Sequence, residues 1–250
     1  MTLDSRTGRV LGVQIDVLDF ETTIARLLKW GRAWESRYVA ICNAHVVVTA
    51  SRDVAYHQVI DDADMATSDG APVAWMLRRI GFTGQTRITG PDLMWALCER
   101  CAAEGLPVYF YGSTEKTLLA LGKRLQEAFP SLMVTGMESP PFRALSAEEN
   151  ATAVERINAS GAGIVFVGLG CPKQERWMAE HRGKVNAVMV GVGAAFDFHA
   201  GTMKRAPKWM QNAGLEWLYR LASEPRRLWK RYLVTNTIFV IGVAKQLLKI

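Results

Sequence analysis

The alternation of strand-like and helix-like segments constrains this chain more than any other feature. Short apolar runs, such as RYVAIC, LPVYFY and VFV, are typical of buried strands and are separated by stretches with helical periodicity. This succession predicts an α/β, Rossmann-like fold, a mostly parallel sheet with helices on both faces. In such sheets ligands bind beyond the carboxyl ends of the strands.

The composition favours a well-packed cytoplasmic protein. A chain of 250 residues that is 49% hydrophobic can bury a sizeable core. No basic segment followed by an apolar run and a cleavage site opens the sequence, so we expect the bulk of the protein in the cytoplasm. The four cysteines agree with a reducing compartment, and Cys98 and Cys101 form a CxxC without a second pair for zinc.

The positive charge is concentrated near the carboxyl terminus. Residues 204–250 hold ten Lys or Arg and two Glu, a net +8, whereas the whole chain has a net charge of +6. We therefore predict an α/β core at 1–203 and a basic, aromatic-rich helical appendage at 204–250. Such asymmetry indicates a polyanionic partner, either a nucleic acid or an acidic membrane surface.

The appendage has the pattern of an interfacial membrane anchor. Its apolar run at 238–244 is well below the ~20 residues that span a bilayer. Arg227, Lys230 and Arg231 follow helical spacing, and Trp229 lies among them. This pattern predicts binding to an anionic membrane surface rather than crossing. The alternative is a solvated basic face packed on the core.

Polar residues or glycines follow the predicted strands. Asp69 lies in an Asp-Gly turn at a strand end, although turn formation alone explains this pair equally well. A carboxylate base with a cationic neighbour such as Arg87 and an amide such as Gln174 suits transfer onto a hydroxyl. The residues at predicted strand ends are Asn43, Asp69, Gly112, Ser113, Gly170 to Gln174 and Asp197.

The stretch VFVGLGCPKQERWM runs from a strand through two glycines into a helix. Gly168 and Gly170 permit a sharp turn, and Pro172 suits the first helical turn. The free amides of the new helix predict an anion site beside Lys173. The alternative is a nucleophilic Cys171, but no pattern marks a base for it.

The sequence predicts neither a metal nor a redox cofactor. YGSTEK and GVGAAF lack the full dinucleotide fingerprint, which disfavours an oxidoreductase. Asp62 and Asp64 form a DxD, but they precede an apolar segment, so an acidic helix end is the preferred interpretation. The four histidines have no metal-ligand spacing.

Six segments resemble, in order, the motifs of the WecG/TagA/CpsF family of bacterial glycosyltransferases. They are NAHVV, SDGAPV, RITGPDLM, FVGLGCPKQERWM, GVGAAFDFHAG and KRAPKWMQNAGLEWLYRLASEPRR, and together they cover nearly the whole chain.

This resemblance implies an inverting, metal-independent enzyme. It would move a hexosyl or N-acetylhexosaminyl group from a UDP-sugar to a polyprenyl-diphosphate-linked saccharide. The product would serve exopolysaccharide, teichoic acid or common antigen synthesis. The enzyme would lie peripherally at the cytoplasmic face of the inner membrane and would bind no nucleic acid. The resemblance is also compatible with a homo-oligomer.

The resemblance also implies residue roles. Asp69 would be the catalytic base that deprotonates the acceptor hydroxyl, with inversion at the anomeric carbon. The expected substrate-binding residues are Asn43, Arg87, Gly112, Ser113, Gly170, Lys173 and Gln174. The residues expected to meet the acceptor diphosphate or the membrane are Arg220, Arg227, Lys230 and Arg231.

Two positions depart from the family pattern. Ile41 stands where threonine is common, and His45 replaces the usual acidic residue. Loss of a hydroxyl alters sugar recognition, because a hydrogen-bonding group is removed. The departures therefore favour a glucosyl or other hexosyl donor over N-acetylmannosamine.

Overall fold

A computed structural model describes residues 6–248 of the chain. The strands are β1 Thr7–Val10, β2 Val13–Asp16, β3 Arg37–Cys42, β4 Met65–Ser68, β5 Val108–Gly112, β6 Val134–Glu138, β7 Ile164–Gly168 and β8 Val188–Gly191. The helices are α1 Phe20–Arg32, α2 Ala44–Ala50, α3 Val54–Asp61, α4 Ala71–Arg79, α5 Gly90–Glu104, α6 Glu115–Ala128, α7 Ala147–Ala159, α8 Lys173–His181, α9 Ala195–His199, α10 Lys208–Asn212, α11 Glu216–Ser223 and α12 Pro225–Leu248.

Six strands form one parallel sheet in the order β4-β3-β8-β7-β5-β6. Their nearly continuous apolar burial is typical of a sheet that is covered on both faces. Helices α1, α5, α6 and α9 pack on one face, and α2, α3, α7 and α8 contribute to the clusters on the other. The predicted Rossmann-like α/β fold is confirmed.

Strand β3 shows how the sequence divides its side chains between these layers. Val39 and Ile41 point into the core with α1 and α5, whereas Ala40 and Cys42 join the core on the opposite face. Successive side chains of a strand point to opposite faces, so a run in which every residue is apolar serves both layers. The chain therefore has core clusters on both sides of the sheet.

The sequence predicts a strand or hairpin in RVLGVQIDVLDF, a helix cap at Asp19 and another cap at Ser113 or Thr114, and the structure confirms these local signals. A two-residue turn at Leu11 and Gly12, both with positive φ, closes the β1-β2 hairpin. Asp19 accepts a hydrogen bond from Thr22 and caps α1. Thr114 caps α6 in the same way.

Three local predictions differ from the structure. The strand expected at 132–135 spans Val134–Glu138 instead. The helical pattern at 46–60 is divided into α2 and α3, because Asp53 accepts from the Tyr56 amide and starts a new helix. The segment NAVMVGVGAAFDF predicts one last strand, but β8 ends at Gly191 and a short helix, α9, begins at Ala195.

The last helix, α12, is part of the packed fold. Leu228, Thr235, Phe239 and Val243 are buried along one side, and Phe239 and Val243 join the core cluster of α2, α3 and the hairpin. Gln246 accepts from the Leu11 amide at 2.8 Å. Within residues 6–248, no helix combines the length and apolarity needed to cross a bilayer.

Candidate active site

Asn43 and Asp69 lie side by side at the carboxyl edge of the sheet. Cys42 pairs in register with Ser68, so the next residue of each strand, Asn43 and Asp69, leaves the sheet at the same level. The Asp69 amide donates to the Cys42 carbonyl at 2.9 Å and extends this pairing by one step. Two neighbouring strands thus bring together a carboxylate and an amide side chain.

Asp69 is half-buried and electrostatically unusual. Burial, together with the nearby Glu216 carboxylate, raises its pKa from 3.8 to about 7. Arg87, the Gly70 amide and Arg205 act in the opposite direction. A carboxyl with a pKa near neutrality is suited to accept a proton at physiological pH.

An ion-pair network lies beside Asp69. Arg205 donates to Asp92 at 2.6 Å and approaches Glu216 at 3.3 Å. Arg87 lies 3.7 Å from the same Glu216 carboxylate and donates to the Gln211 carbonyl at 2.9 Å. The network connects the start of α5 with α10 and α11, so segments from opposite ends of the chain meet at Asp69.

A second part of the edge is formed by glycine backbone. A side-chain carbon at Gly112 would lie 2.5 Å from the Gly168 carbonyl carbon, and φ at Gly112 is 129°. Only glycine allows this approach of β5 to β7. The Ser113 amide donates to the Gly168 carbonyl at 3.1 Å. This tight contact fixes the end of β5 against the end of β7, with Gly112 buried and Ser113 half-buried at the edge.

The turn that leads into α8 differs from the expected open anion site. The Gly170 amide donates to the Gln174 side chain at 3.1 Å, and the Gln174 amide donates to the Gly170 carbonyl at 2.9 Å. The Gln174 side chain also donates to Glu175 at 2.8 Å, and Tyr56 donates to Glu175 at 3.0 Å. Glu175 is fully buried, and desolvation raises its pKa. The turn thus satisfies part of its own hydrogen-bonding groups, and the anion site beside Lys173 stays a prediction.

These contacts predict different effects for Gln174→Ala, which should lower stability, and for Lys173→Ala, which should not. Gln174→Ala removes a buried hydrogen-bonding group, so we expect a loss of about 1–3 kcal/mol in the free energy of unfolding. Lys173 is exposed, so Lys173→Ala should change stability by less than about 0.5 kcal/mol. If Lys173 contacts the donor diphosphate, Lys173→Ala weakens donor binding about tenfold.

Thermal unfolding and calorimetric titration with a nucleotide sugar measure both effects. Wild-type donor affinity in Lys173→Ala would remove Lys173 from the donor site. An unchanged melting temperature in Gln174→Ala would contradict the internal role of that side chain.

Asn43 also has an internal role, because its side-chain oxygen accepts from the amides of His45 and Val46 at 2.9 and 3.2 Å and caps α2. Its predicted contact with substrate would therefore use the other side-chain atom, the amide nitrogen. The cap fixes the orientation of that nitrogen at the carboxyl edge.

Three of the four basic residues predicted in the appendage lie together. Arg227, Lys230 and Arg231 line a groove between α2 and α12 with a volume of about 610 Å³, and Arg52 contributes a fourth cation. Arg220 lies apart on α11, with its guanidinium 5.6 Å from the centre of the Phe198 ring. Arg220 and Arg231 each keep a buried Nε atom without a hydrogen-bond partner. Asp53 also lines the groove and Arg227 pairs with Glu224 at 2.6 Å, so the groove is positive overall but partly neutralised.

The DxD pair lies at the amino end of β4, away from Asp69. Asp64 accepts from Arg37 at 2.8 Å and from Arg182 at 2.7 Å, which gives its nearly buried carboxylate a structural role. Asp62 is exposed and follows the last turn of α3. In the part of the chain that the structure describes, no three His, Cys, Asp or Glu side chains form a group suited to a metal ion. Metal independence stays a prediction.

The two departures from the family pattern lie at different depths. Ile41 is buried in the core below the strand end. His45 lies 3.4 Å from the Thr235 hydroxyl of α12, and desolvation together with Arg231 lowers its pKa to about 4. His45 is therefore neutral at physiological pH and contacts the C-terminal helix. Their effect on sugar choice stays a prediction.

The sequence did not identify Asp92, Arg205 or Glu216 as part of this site. Asp92 and Arg205 lie in RITGPDLM and KRAPKW, two of the quoted motifs, but they are 113 residues apart. The family motifs include both segments, yet nothing in their spacing along the sequence predicts that Asp92 and Arg205 contact each other. Only the folded chain brings their side chains together.

The parallel sheet defines a Rossmann-like α/β protein, and Asp69, a carboxyl with a near-neutral pKa, lies at the edge where ligands bind in such sheets. The sequence model of the Glycosyl transferase WecG/TagA/CpsF family matches residues 8–250, and the chain belongs to that family. The protein is therefore a glycosyltransferase. Its family supports a role in cell-surface polysaccharide synthesis, with a sugar-nucleotide donor and a lipid-linked acceptor in general.

Proposed function

We propose that this protein is an inverting, metal-independent glycosyltransferase for cell-surface polysaccharides, exopolysaccharide among them. It transfers a hexosyl or N-acetylhexosaminyl group from a UDP-sugar to a polyprenyl-diphosphate-linked saccharide. The reaction takes place at the cytoplasmic face of the inner membrane, where the enzyme is peripherally bound.

The environment of Asp69 is the observation that carries the proposal. A sugar hydroxyl is a weak nucleophile, and a positioned base that accepts its proton in the transition state lowers the barrier. Asp69 has a near-neutral pKa and lies at the edge where ligands bind in parallel sheets. The acceptor hydroxyl gives its proton to Asp69 as its oxygen attacks the anomeric carbon, and the bond to the UDP oxygen breaks.

Fixed positive groups supply the stabilisation that the departing diphosphate needs. Arg87 lies beside Asp69, and Lys173 is exposed next to the turn after β7. Preorganised cations and amides stabilise charge that develops on a leaving group.

The groove between α2 and α12 suits the diphosphate of the acceptor. Arg52, Arg227, Lys230 and Arg231 line it, and a diphosphate carries the complementary charge. The outer side of α12 carries the exposed apolar side chains Trp229, Leu233, Val240 and Leu247. A polyprenyl chain in a membrane beneath that side would present its diphosphate to the groove.

Release of nucleoside diphosphate from UDP-sugars in the presence of polyprenyl-diphosphate-linked mono- and disaccharides tests the proposal. We expect release to require a lipid-linked acceptor and to continue in excess chelator. Full binding to lipid without transfer from any donor would instead favour a non-catalytic basic module.

A further inference from the structure

We propose that Glu216 is a positioning residue of the transfer reaction. Its carboxylate, delivered by the C-terminal segment, holds Arg87 and Arg205 beside Asp69 and thereby sets how readily Asp69 accepts a proton. The inference rests on the proposed role of Asp69 as the base, and it gives the C-terminal segment a direct part in the chemistry.

The geometry places Glu216 at the junction of two arginines. Its two carboxylate oxygens are divided between them, one lying 3.3 Å from Arg205 and the other 3.7 Å from Arg87. Each arginine has a second anchor, because Arg205 also pairs with Asp92 at 2.6 Å and Arg87 donates to the Gln211 carbonyl. All three charged side chains are largely buried, with side-chain exposures of 18% for Arg205, 19% for Arg87 and 22% for Glu216.

The segment that carries Glu216 is packed tightly against the start of α4. A side-chain carbon at Gly214 would lie 2.7 Å from the Cβ atom of Ala71, and Ala71 is two residues after Asp69. The positive φ of 73° at Gly214 also requires glycine there. The close approach fixes where α11 begins and therefore where its first residue, Glu216, lies relative to Asp69.

Charges of both signs act on Asp69, in addition to its burial. Glu216 acts to raise the pKa of Asp69, while Arg87 and Arg205 act to lower it. Asp92 offsets part of the charge of Arg205, and the Cys42 thiol on the adjacent strand is also close enough to interact. Without Glu216, Asp69 would lose the carboxylate that raises its pKa while both arginines still lower it, and Asp69 would become a weaker base.

Two measurements on the full-length protein test the inference. The first is the titration of Asp69 by NMR with aspartate labelled at the carboxyl carbon, assigned with Asp69→Asn. The second is the dependence of kcat on pH. In Glu216→Gln we expect the pKa of Asp69 and the acid limb of the kcat profile to fall by about one unit. At pH 8.5, about 1.5 pH units above the acid limb of the wild type, kcat should also fall, because Asp69 is then a weaker base.

Arg205→Gln should raise the pKa of Asp69, opposite to the effect of Glu216→Gln. A general loosening of the site would instead shift the pKa of Asp69 in the same direction in both variants. Glu104→Gln is the matched control, since Glu104 also pairs with an arginine, Arg32, and has a side-chain exposure of 29%. It lies at the end of α5 and should leave the Asp69 titration unchanged.

An unchanged or raised pKa of Asp69 in Glu216→Gln would overturn the inference, whatever its activity. If instead Asp69→Asn kept full turnover, the proposed role of Asp69 would fail, while the titration would still decide whether the two carboxyls are coupled.

Discussion

Asp69→Asn is expected to lower the single-turnover rate by roughly 10²–10⁴-fold, the usual contribution of a general base. Asparagine keeps the shape of the side chain and the turn chemistry but cannot take the proton. Donor affinity should remain close to that of the wild type. In the wild type, the rate should fall as the pH drops below about 7, because Asp69 becomes protonated.

The same substitution should not reduce the stability of the fold. Because the pKa of Asp69 is raised by burial, its charged form is less favourable in the folded protein than in the unfolded chain. Above pH 7 the neutral asparagine avoids this cost, so we expect Asp69→Asn to melt no lower than the wild type at pH 8. A large loss of both rate and melting temperature would indicate a structural role instead.

The DxD pair provides the control for a metal-dependent reaction. Asp62→Asn should leave rate and stability almost unchanged, since Asp62 is exposed. Asp64→Asn should lower the melting temperature, because Asp64 pairs with Arg37 and Arg182, but the rate per folded molecule should persist. Inhibition by chelator, with a mild effect of Asp69→Asn, would contradict the carboxylate-base mechanism.

The fold could be predicted because its signals are local. The apolar runs that became β3, β5 and β7 are buried on both faces, and the caps at Asp19 and Thr114 start helices where the sequence placed them. The strand order could not be predicted, because β7 and β8 insert between β5 and β3 through contacts distant in sequence.

The site was predicted less completely than the fold, because its residues come together from segments that are distant in sequence. A turn at a strand end marks Asp69, whereas the residues that tune it come from the loop before α5 and from the C-terminal segment. Gln174 and Asn43 were predicted as ligand contacts from their place at strand ends. In the structure both also satisfy backbone amides, which a polar side chain at a strand end commonly does. Sequence pattern alone does not separate these roles.

The outer side of α12 gives the second large expected effect. Trp229, Leu233, Val240 and Leu247 lie at intervals of four or seven residues, which places them on one side of the helix, and their exposures range from 41% to 65%. Ten of the seventeen exposed large hydrophobic side chains in the described chain lie at 209–248, so this surface is an unusual concentration. Helix α12 therefore has a basic groove along one flank and apolar side chains that face away from the core. This arrangement is typical of a helix that lies in a membrane interface.

Leu233→Glu combined with Val240→Glu is therefore expected to lower binding to phosphatidylglycerol vesicles by about 10²-fold or more, since each buried aliphatic side chain contributes about 1.5–3 kcal/mol. Flotation of the full-length protein measures this loss. Truncation near Gly201 is less informative, because it removes Phe239 and Val243 from the core and exposes the apolar residues that they cover.

The matched control is Leu119→Glu, which alters a leucine with 71% exposure on α6, far from α12 in sequence. It should float like the wild type, and all variants should keep the wild-type melting temperature because the altered side chains are exposed. Lys230→Gln should weaken binding to anionic vesicles at low salt, with the difference shrinking as salt screens the charge. Equal flotation of the double variant and the wild type would show that the outer side of α12 is not the membrane contact, and that its basic flank serves the folded protein alone.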